Sequence, residues 1–322
     1  MAIDGEVKTF ASAADLEEKN ITFAELADGV YAYTAEGDPN TGVVIGDDCV
    51  MVMDAQATPV MAQDVIKRIR EVTDKPIKYV VLSHYHAVRV LGASGYGASE
   101  IISSAATRDL IVERGQADYE SEVARFPRLF QSVETVPGLT WPTQTFETEM
   151  TLWLGNREVR LMHIGRAHTK GDIVAWLPKE RVLFSGDLVE YGATPYTGDA
   201  YLRDWPQTLD NAMALDPVAL VPGRGDALTT PETVAAAIEG TRSFVTQMYG
   251  AVENGVKAGK SLGEAYTETY NLLQPQFGEW VIFDHCLPFD VSRAYDEAGG
   301  TDDPRIWTAD RDRDMWVALE GD

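Results

Sequence analysis

The sequence predicts an α/β protein whose functional side chains lie at the ends of strands. Short apolar runs rich in β-branched residues alternate with segments in which apolar residues recur at helical spacing. Several of the strand-like runs stop at a histidine, an aspartate or an arginine. Because α/β proteins bind their ligands beyond the ends of strands, we expect these side chains to share one site.

Composition limits the class of protein and the class of partner. The chain has 322 residues, of which 45% are apolar and 24% charged, as is typical of a globular protein with a large core. Its 51 acidic and 27 basic residues give a formal charge of −24, which disfavours binding to nucleic acid or to an anionic membrane. With no secretory signal, no membrane-spanning run and only two cysteines, Cys49 and Cys286, we expect a reduced, cytoplasmic protein.

The amino-terminal part is expected to form an arm and then an antiparallel meander. Residues 1–20 are polar and carry no motif, so they are assigned to the arm. Three short strands separated by turn signals are predicted at Val30–Thr34, Gly42–Ile45 and Val50–Asp54. Apolar residues at helical spacing predict a helix over Pro59–Val72, and the apolar run after it predicts a buried strand that stops at Ser83.

The middle of the chain predicts further strands and one long connection. A strand at Ile101–Ser103 is followed by a helix over Ala105–Arg114, with Ser104 as its cap. Residues 115–145 are aromatic and irregular, which fits either a loop that covers a substrate or the ordinary packing of a long connection. Five more strands are predicted at Met150–Leu154, Glu158–His163, Ile173–Leu177, Val182–Phe184 and Ala219–Val221. From about Thr230 the pattern turns helical.

Ligand-type side chains follow several of these strands. His84 and His86 come directly after a buried strand, where two imidazoles two residues apart can converge on one ion. His168 lies in a similar setting, Asp187 follows the strand Val182–Phe184, and Arg224 follows the strand after that.

The four motifs that carry these residues resemble those of the metallo-β-lactamase superfamily. The chain reads Ser-His-Tyr-His-Ala-Val-Arg from Ser83, Gly-Arg-Ala-His-Thr from Gly165, Ser-Gly-Asp from Ser185 and Pro-Gly-Arg-Gly from Pro222. The family reads Ser-His-x-His-x-Asp-His, Gly-x-x-His-Thr, Ser/Thr-Gly-Asp and Pro-Gly-His-Gly in the same order. The resemblance implies a four-layer αββα sandwich over residues 1–228, with a helical carboxy-terminal region over residues 229–322 packed on the same domain.

The resemblance also implies a metal site. His84, His86 and His168 match the three histidines that hold the family's first metal, and Asp187 matches the carboxylate that usually bridges two metals. Three imidazoles with one open position suit catalytic Zn(II), so one zinc per chain is expected, although iron and manganese also fit these ligand types.

The ligands that belong only to the family's second metal are missing. Val88 stands in place of an aspartate, and Arg89 and Arg224 stand in place of histidines. Valine has no lone pair, and arginine stays protonated, so a dinuclear site is disfavoured. The two arginines either hold an anionic substrate and stabilise an oxyanion, or pair with Asp187 and fill the vacated position.

These observations predict a mononuclear metallohydrolase. A metal-activated water would attack a small, anionic ester or lactone, with Asp187, Arg89 and Arg224 as the catalytic side chains. One alternative is a mononuclear iron oxidoreductase that uses His84, His168 and Asp187, and another is an attenuated anion-binding protein. The expected partner is a small-molecule substrate, with neither nucleic acid nor membrane, and the aromatic carboxy-terminal tail leaves a homodimer open.

Several other side chains receive a weaker assignment. Asp54 is expected to support the ligand loop, and His163 is expected to be a hydrogen-bonded structural histidine. His285 could reach the pocket, although a structural role is the better supported. Three tyrosines are candidate donors to a substrate carbonyl, namely Tyr191, Tyr196 and Tyr201. The charged segment Asp310–Trp316 is interpreted as a solvated helix face.

Overall fold

A seven-stranded sheet occupies the first half of the chain in the computed structural model, which describes residues 11–320. Its strands lie side by side in chain order, at Ile21–Ala27 (β1), Val30–Ala35 (β2), Thr41–Ile45 (β3), Val50–Met53 (β4), Ile77–Val81 (β5), Glu100–Ser104 (β6) and Gln144–Phe146 (β7). Strands β1 to β4 pair antiparallel, which confirms the predicted meander, and β4 to β7 pair parallel. Of the expected arm, residues 1–10 lie outside the described part, and Ala11–Ala14 form a 3-10 helix.

A five-stranded sheet follows, with the order β12-β11-β10-β9-β8. Its strands span Glu149–Leu154 (β8), Arg157–Met162 (β9), Val174–Leu177 (β10), Val182–Gly186 (β11) and Ala219–Pro222 (β12). Strands β11 and β12 pair parallel, and the other neighbours pair antiparallel. The turn between β8 and β9 needs a left-handed residue, and Gly155 supplies it with a φ of 72°. The parallel pair β11 and β12 therefore presents Asp187 and Arg224 at the same sheet edge.

Eight α-helices surround the two sheets within residues 11–320. They span Pro59–Val72 (α1), Ala87–Val90 (α2), Ala105–Arg125 (α3), Trp205–Met213 (α4), Pro231–Lys257 (α5), Leu262–Phe277 (α6), Phe283–Ala298 (α7) and Ala309–Glu320 (α8). The side chains of Thr58 and Ser104 accept backbone N–H bonds at the starts of α1 and α3, which satisfies donors that the first helical turn leaves free.

Three apolar cores separate four layers. The side chains between the sheets come from both of them, including Val81 and Phe184. A Cβ placed on Gly42 would lie 2.4 Å from the Phe184 ring, so glycine on β3 lets the two sheets approach closely. Helices α1 and α3 pack on the outer face of the first sheet, and α4 to α7 pack on the outer face of the second. The predicted αββα sandwich with a helical carboxy-terminal extension is confirmed.

Helix α3 is longer than the sequence predicted. The prediction ended it at Arg114, and residues 115–145 were expected to be irregular, whereas the helix continues to Arg125. Apolar periodicity fades after Arg114 because the inward face of the second half carries Asp118, Glu122 and Arg125 in place of apolar residues. Hydrophobic spacing therefore gives no signal for this part of the helix.

The elements without a counterpart in the sequence prediction include β1, β7, α2 and α4. Strand β1 lies at a sheet edge with mostly exposed side chains, and β7 has only three residues, so neither shows an alternating apolar pattern. Helix α4 buries Trp205, Leu209 and Ala212 at helical spacing, a signal that the sequence does carry.

The carboxy-terminal charged segment is only partly solvated, so its interpretation as a solvated face was wrong at Asp312 and Met315, which are buried. Asp312 on α8 is buried and accepts a hydrogen bond of 3.0 Å from Arg125 Nη2 on α3. It also accepts one of 3.3 Å from Ser121 Oγ. Its neighbours Arg313 and Asp314 are exposed. In the described part of the chain, no helix has both the length and the apolar composition that a membrane crossing requires.

Candidate metal centre

Loops at one edge of the two sheets bring the predicted histidines together. His84 and His86 lie between β5 and α2, and His168 lies in the connection from β9 to β10. The ligating atoms of the three imidazoles all lie within 4.8 Å of one another, and all three residues are buried. The histidines are separated by up to 84 positions in the sequence, so the fold assembles the cluster.

The tautomer of His84 follows from its hydrogen bonds. Ser83 Oγ donates to Asp54 Oδ2 at 2.8 Å, and because that uses its single proton, the oxygen accepts from His84 Nδ1 at 2.9 Å. His84 Nε2 then carries a lone pair, and no described residue makes a hydrogen bond to it. Asp54 also accepts the backbone N–H of Ser83, so it supports the ligand loop as expected.

The other two histidines are oriented in the same way. His86 Nε2 lies 3.2 Å from Asp199 Oδ2, and His168 Nδ1 lies 2.8 Å from the carbonyl oxygen of Tyr196. A carboxylate and a carbonyl oxygen can only accept, so both nitrogens are donors. The lone pairs on His86 Nδ1 and His168 Nε2 therefore face each other, 2.9 Å apart.

Three converging lone pairs fit a cation. Two facing lone pairs require a proton or a metal ion between them, and burial leaves no water to separate them. Although burial alone disfavours the charged form, the carboxylates of Asp118 and Asp199 raise the pKa of His86 to about 9. Burial, together with the charge of His86, lowers the pKa of His168 to about 3. A divalent metal ion bound by both nitrogens would take the place of a proton between them.

Asp187 lies at the edge of this cluster and is held by both arginines. Its Oδ1 accepts a hydrogen bond from Arg89 Nη2, and its Oδ2 accepts one of 3.2 Å from Arg224 Nη1. Oδ2 also lies 3.8 Å from His84 Nε2 and 3.7 Å from His168 Nε2. Burial alone would raise the pKa of Asp187, but the charge of Arg89, followed by those of His84 and Arg224, holds it well below its usual range. One carboxylate oxygen is thus committed to Arg89, and the other faces the histidines.

The two arginines differ in their access to a ligand. Arg89 is fully buried and donates to the carbonyl oxygens of Asn40 and Gly223 at 3.1 and 2.8 Å, so it contacts Asp187 and backbone only. Arg224 binds two carboxylates, because its Nη1 donates to Glu190 Oε1 at 3.2 Å as well as to Asp187 Oδ2. Burial and the charge of Asp187 raise the pKa of Glu190 to about 8.

A narrow cavity opens beside the histidines. Its polar lining comes from His86, Glu122, Arg125, His168, Asp187, Tyr196 and Arg224. Val88, Ile282 and Cys286 form apolar parts of the wall, so α7 of the carboxy-terminal region contributes to the site. An adjoining cavity shares Phe126, Arg224 and Ile282 with it.

The structure separates the remaining candidates. Tyr196 lines the cavity, whereas Tyr191 is exposed and the Tyr201 hydroxyl donates to Asp303 at 2.8 Å. His163 Nδ1 lies 2.8 Å from the carbonyl oxygen of Asp172, which confirms its structural role. His285 packs against the Phe126 ring, with centroids 4.1 Å apart and ring planes tilted by 36°, and it is not among the residues that line the cavity.

Three carboxylates near the site were not among the predicted residues. Asp199 orients His86, while Asp118 and Glu122 accept the backbone N–H groups of Ala87 and Val88 at 2.7 and 3.0 Å. Asp118 and Glu122 are four residues apart on α3, so charged residues at helical spacing were the available signal. Asp199 lies in a loop 113 residues after His86, and no local pattern identifies it.

Comparison with known proteins agrees with this geometry. The family model of the metallo-β-lactamase superfamily matches residues 34–224. The chain is 25% identical over 244 residues to a metallo-β-lactamase type 2 of Bacteroides fragilis, covering 71% of this chain and 86% of that protein. It is 24% identical over 224 residues to one of Bacillus cereus, covering 65% and 78% respectively.

Solved structures show the same fold at lower identity. A metallo-β-lactamase from Pontibacter korlensis superposes with a TM-score of 0.57 and 18% identity, over 70% of this chain and 99% of that chain. A stereoselective inverting sec-alkylsulfatase from Pseudomonas sp. superposes with a TM-score of 0.70 and 16% identity, over 86% of this chain and 50% of that chain. Because the family model matches more than half of the chain, the protein belongs to the metallo-β-lactamase superfamily.

Proposed function

We propose that the protein is a mononuclear, metal-dependent hydrolase of small anionic esters or lactones. The observation that carries the proposal is the convergence of three histidine lone pairs, each fixed by an acceptor on the opposite ring nitrogen. His84, His86 and His168 would hold the ion, and Asp187 Oδ2 is the fourth candidate ligand. A bound Zn(II) would supply Lewis acidity and make water acidic enough to act as a nucleophile at neutral pH.

Replacement of the second-metal ligands supports a single ion. Val88 offers no ligand atom, and the guanidinium groups of Arg89 and Arg224 both contact Asp187. Two fixed positive charges at that carboxylate would repel a second cation. Both arginines do pair with Asp187, as one of the two expected roles for them required. Asp187 Oδ2 nevertheless faces His84 and His168, so it is still available as a ligand for one ion.

The arginines take different roles in the proposal. Arg89 makes no contact with the cavity, so it positions Asp187. Arg224 lines the cavity, and although its Nη1 is bound to Asp187 and Glu190, a guanidinium at this wall suits a carboxylate or a developing oxyanion. Tyr196 lines the same cavity, and burial raises its pKa well above the usual value, so its hydroxyl stays a donor. The narrowness of the cavity favours a small substrate.

A second candidate activity is hydrolysis of an alkyl sulfate. The sec-alkylsulfatase superposes on 86% of this chain, against 70% for the Pontibacter enzyme. An alkyl sulfate is itself a small anionic ester, and Arg224 offers the planar donors that bind such oxyanions. Secondary alkyl sulfates therefore belong in the substrate panel.

The first experiment measures metal content together with activity. We expect protein stripped with a chelator and reloaded with zinc to bind one ion per chain, measured by plasma mass spectrometry, and to hydrolyse members of a panel of anionic esters, lactones and alkyl sulfates. We expect His168→Ala to lose the ion, because two imidazoles and a carboxylate held by arginines make a weak site. His163→Ala, a histidine outside the cluster, is the matched control and should keep it.

The other outcomes separate the alternatives. Protein that retains one iron and oxidises a substrate only in that form would favour the oxidoreductase. Wild-type protein that binds no metal after incubation with zinc, iron or manganese would contradict both enzyme activities and leave an anion-binding protein. Hydrolysis that persists in His168→Ala would contradict the assigned ligands.

A further inference from the structure

Ester hydrolysis in this cavity requires a group that accepts a proton from the attacking water. Position 88, next to the ligand loop, does not supply one. Val88 stands where a carboxylate could have served, and its side chain cannot accept a proton. Among the described residues, two carboxylates line the cavity, Asp187 and Glu122. Asp187 already receives hydrogen bonds from Arg89 and Arg224, which stabilise its ionised carboxylate and make it a poor proton acceptor.

Glu122 lies beside the position that Val88 vacates. Its Oε2 accepts the backbone N–H of Val88 at 3.0 Å, which places the carboxylate from α3 next to the residue that lacks one. This bond engages Oε2, and the Glu122 side chain also lines the cavity beside the histidines. The side chain is only 6% exposed, so its position is fixed by the surrounding protein.

The neighbours of Glu122 suit a group that gains and returns a proton. Burial raises its pKa, and the charges of His86, Arg125 and Arg224 offset part of that effect. Arg125 on the next turn is held in place by Asp312 at 3.0 Å and donates to the Tyr196 hydroxyl at 3.3 Å. That bond leaves the hydroxyl proton of Tyr196 available to a substrate oxygen.

We propose that Glu122 is the general base and then the general acid of the hydrolytic reaction, in place of the carboxylate absent at Val88. The inference rests on the proposed function. The oxygen of the attacking water bonds to the acyl carbon while Glu122 Oε1 takes one of its protons. The bond from that carbon to the leaving-group oxygen then breaks, and Glu122 returns the proton to the departing alkoxide.

Glu122→Gln tests this role because the amide oxygen still accepts the Val88 N–H. We expect kcat to fall by about 100-fold to 10,000-fold, the usual contribution of general acid–base catalysis, with the zinc content still one per chain. Asp118→Asn is the structural comparison, since Asp118 accepts the adjacent Ala87 N–H on the same helix turn. A role limited to holding α2 predicts equal losses in the two variants, and such a result would overturn the proposal.

A binding measurement tests the same role without turnover. Acetohydroxamic acid is neutral in solution and binds zinc as its anion, so a carboxylate in the cavity that takes up the released proton strengthens its binding. We expect Glu122→Gln to bind it about tenfold more weakly than wild type, the equivalent of one charge-assisted hydrogen bond, and Asp303→Asn, which changes an exposed carboxylate, to bind it as wild type does. Formate, as a small replacement base, should also raise the kcat of Glu122→Ala but not that of Asp118→Ala.

These measurements distinguish failure of the role proposed for Glu122 from failure of the proposed hydrolase function. Loss of zinc in Glu122→Gln would make Glu122 a metal ligand and overturn its role as a base. Unchanged acetohydroxamic acid binding in Glu122→Gln would overturn it as well, whether or not a hydrolysed substrate is known. Wild-type protein that binds no zinc would overturn the proposed function first, and the role of Glu122 with it.

Discussion

At the residue scale, the candidate metal site depends on hydrogen-bond acceptors that belong to residues other than the three histidines. Ser83, Asp199 and the carbonyl oxygen of Tyr196 each fix one imidazole, so that the other nitrogen is free to bind an ion. Such supporting contacts commonly set metal affinity as strongly as ligand identity does. Asp199 has a second partner, because its Oδ1 accepts from Arg114 Nη1 at 3.2 Å. Although burial acts in the opposite direction, the hydrogen bond and charge of His86 lower the pKa of Asp199 to about 2.

Asp199→Asn should therefore weaken metal binding without removing a ligand. The amide can still accept from His86 Nε2, but it no longer carries the charge that makes the imidazole more basic. We expect zinc affinity to fall by about 10-fold to 100-fold, measured by competition with a chelating dye. Asp303→Asn, which changes an exposed carboxylate bound to Tyr201, should leave the affinity unchanged. Equal affinity in Asp199→Asn and wild type would contradict the assigned tautomer of His86.

At the element scale, α3 joins the metal site to the carboxy-terminal helices. Its second half carries Asp118 and Glu122 toward the ligand loop, and Arg125 toward α7 and α8. The Arg125 guanidinium lies 4.1 Å from the centre of the Phe289 ring, and its ion pair with Asp312 is buried. Removal of one partner of a buried ion pair leaves an uncompensated charge, which is costly.

Asp312→Ala should consequently detach α8 from α3. We expect the free energy of unfolding to fall by about 3 kcal/mol, the lower end of the range for a broken buried pair, measured by urea denaturation. Amide hydrogen exchange should also speed up over Ala309–Glu320 before it does elsewhere. Asp314→Ala is the matched control, because Asp314 is exposed on the same helix and should change stability by less than ~0.5 kcal/mol. A similar loss in both variants would contradict the buried pair.

The same helix shows where sequence reasoning succeeds and where it stops. Helix α1 has an apolar face, and its bounds, Pro59–Val72, were predicted to the residue because the spacing of apolar residues shows which face of a helix is buried. The buried face of α3 beyond Arg114 is ionic, so its burial depends on partners from distant parts of the chain. The three histidines were predicted from their motifs, whereas Asp199 and Glu122 act through contacts that only the fold creates.

At the scale of the whole molecule, the candidate ligands come from both sheets. His84 and His86 follow β5 of the first sheet, while His168 precedes β10 and Asp187 follows β11 of the second. An ion held by all of them would connect the two sheets at one edge, in addition to the apolar layer between them. Because the unfolded chain cannot assemble these ligands, metal binding adds to the free energy of folding.

Zinc should for this reason raise the thermal midpoint of the protein. At a free zinc concentration about 100 times the dissociation constant, binding adds ~2.7 kcal/mol to the free energy of unfolding. For 322 residues with an unfolding entropy of ~2.1 cal/mol/K each, that corresponds to a rise in Tm of about 4 °C by calorimetry. His163→Ala should retain the zinc-dependent rise and His168→Ala should lose it. An equal rise in both variants would show that zinc binds elsewhere and would contradict a metal centre that connects the two sheets.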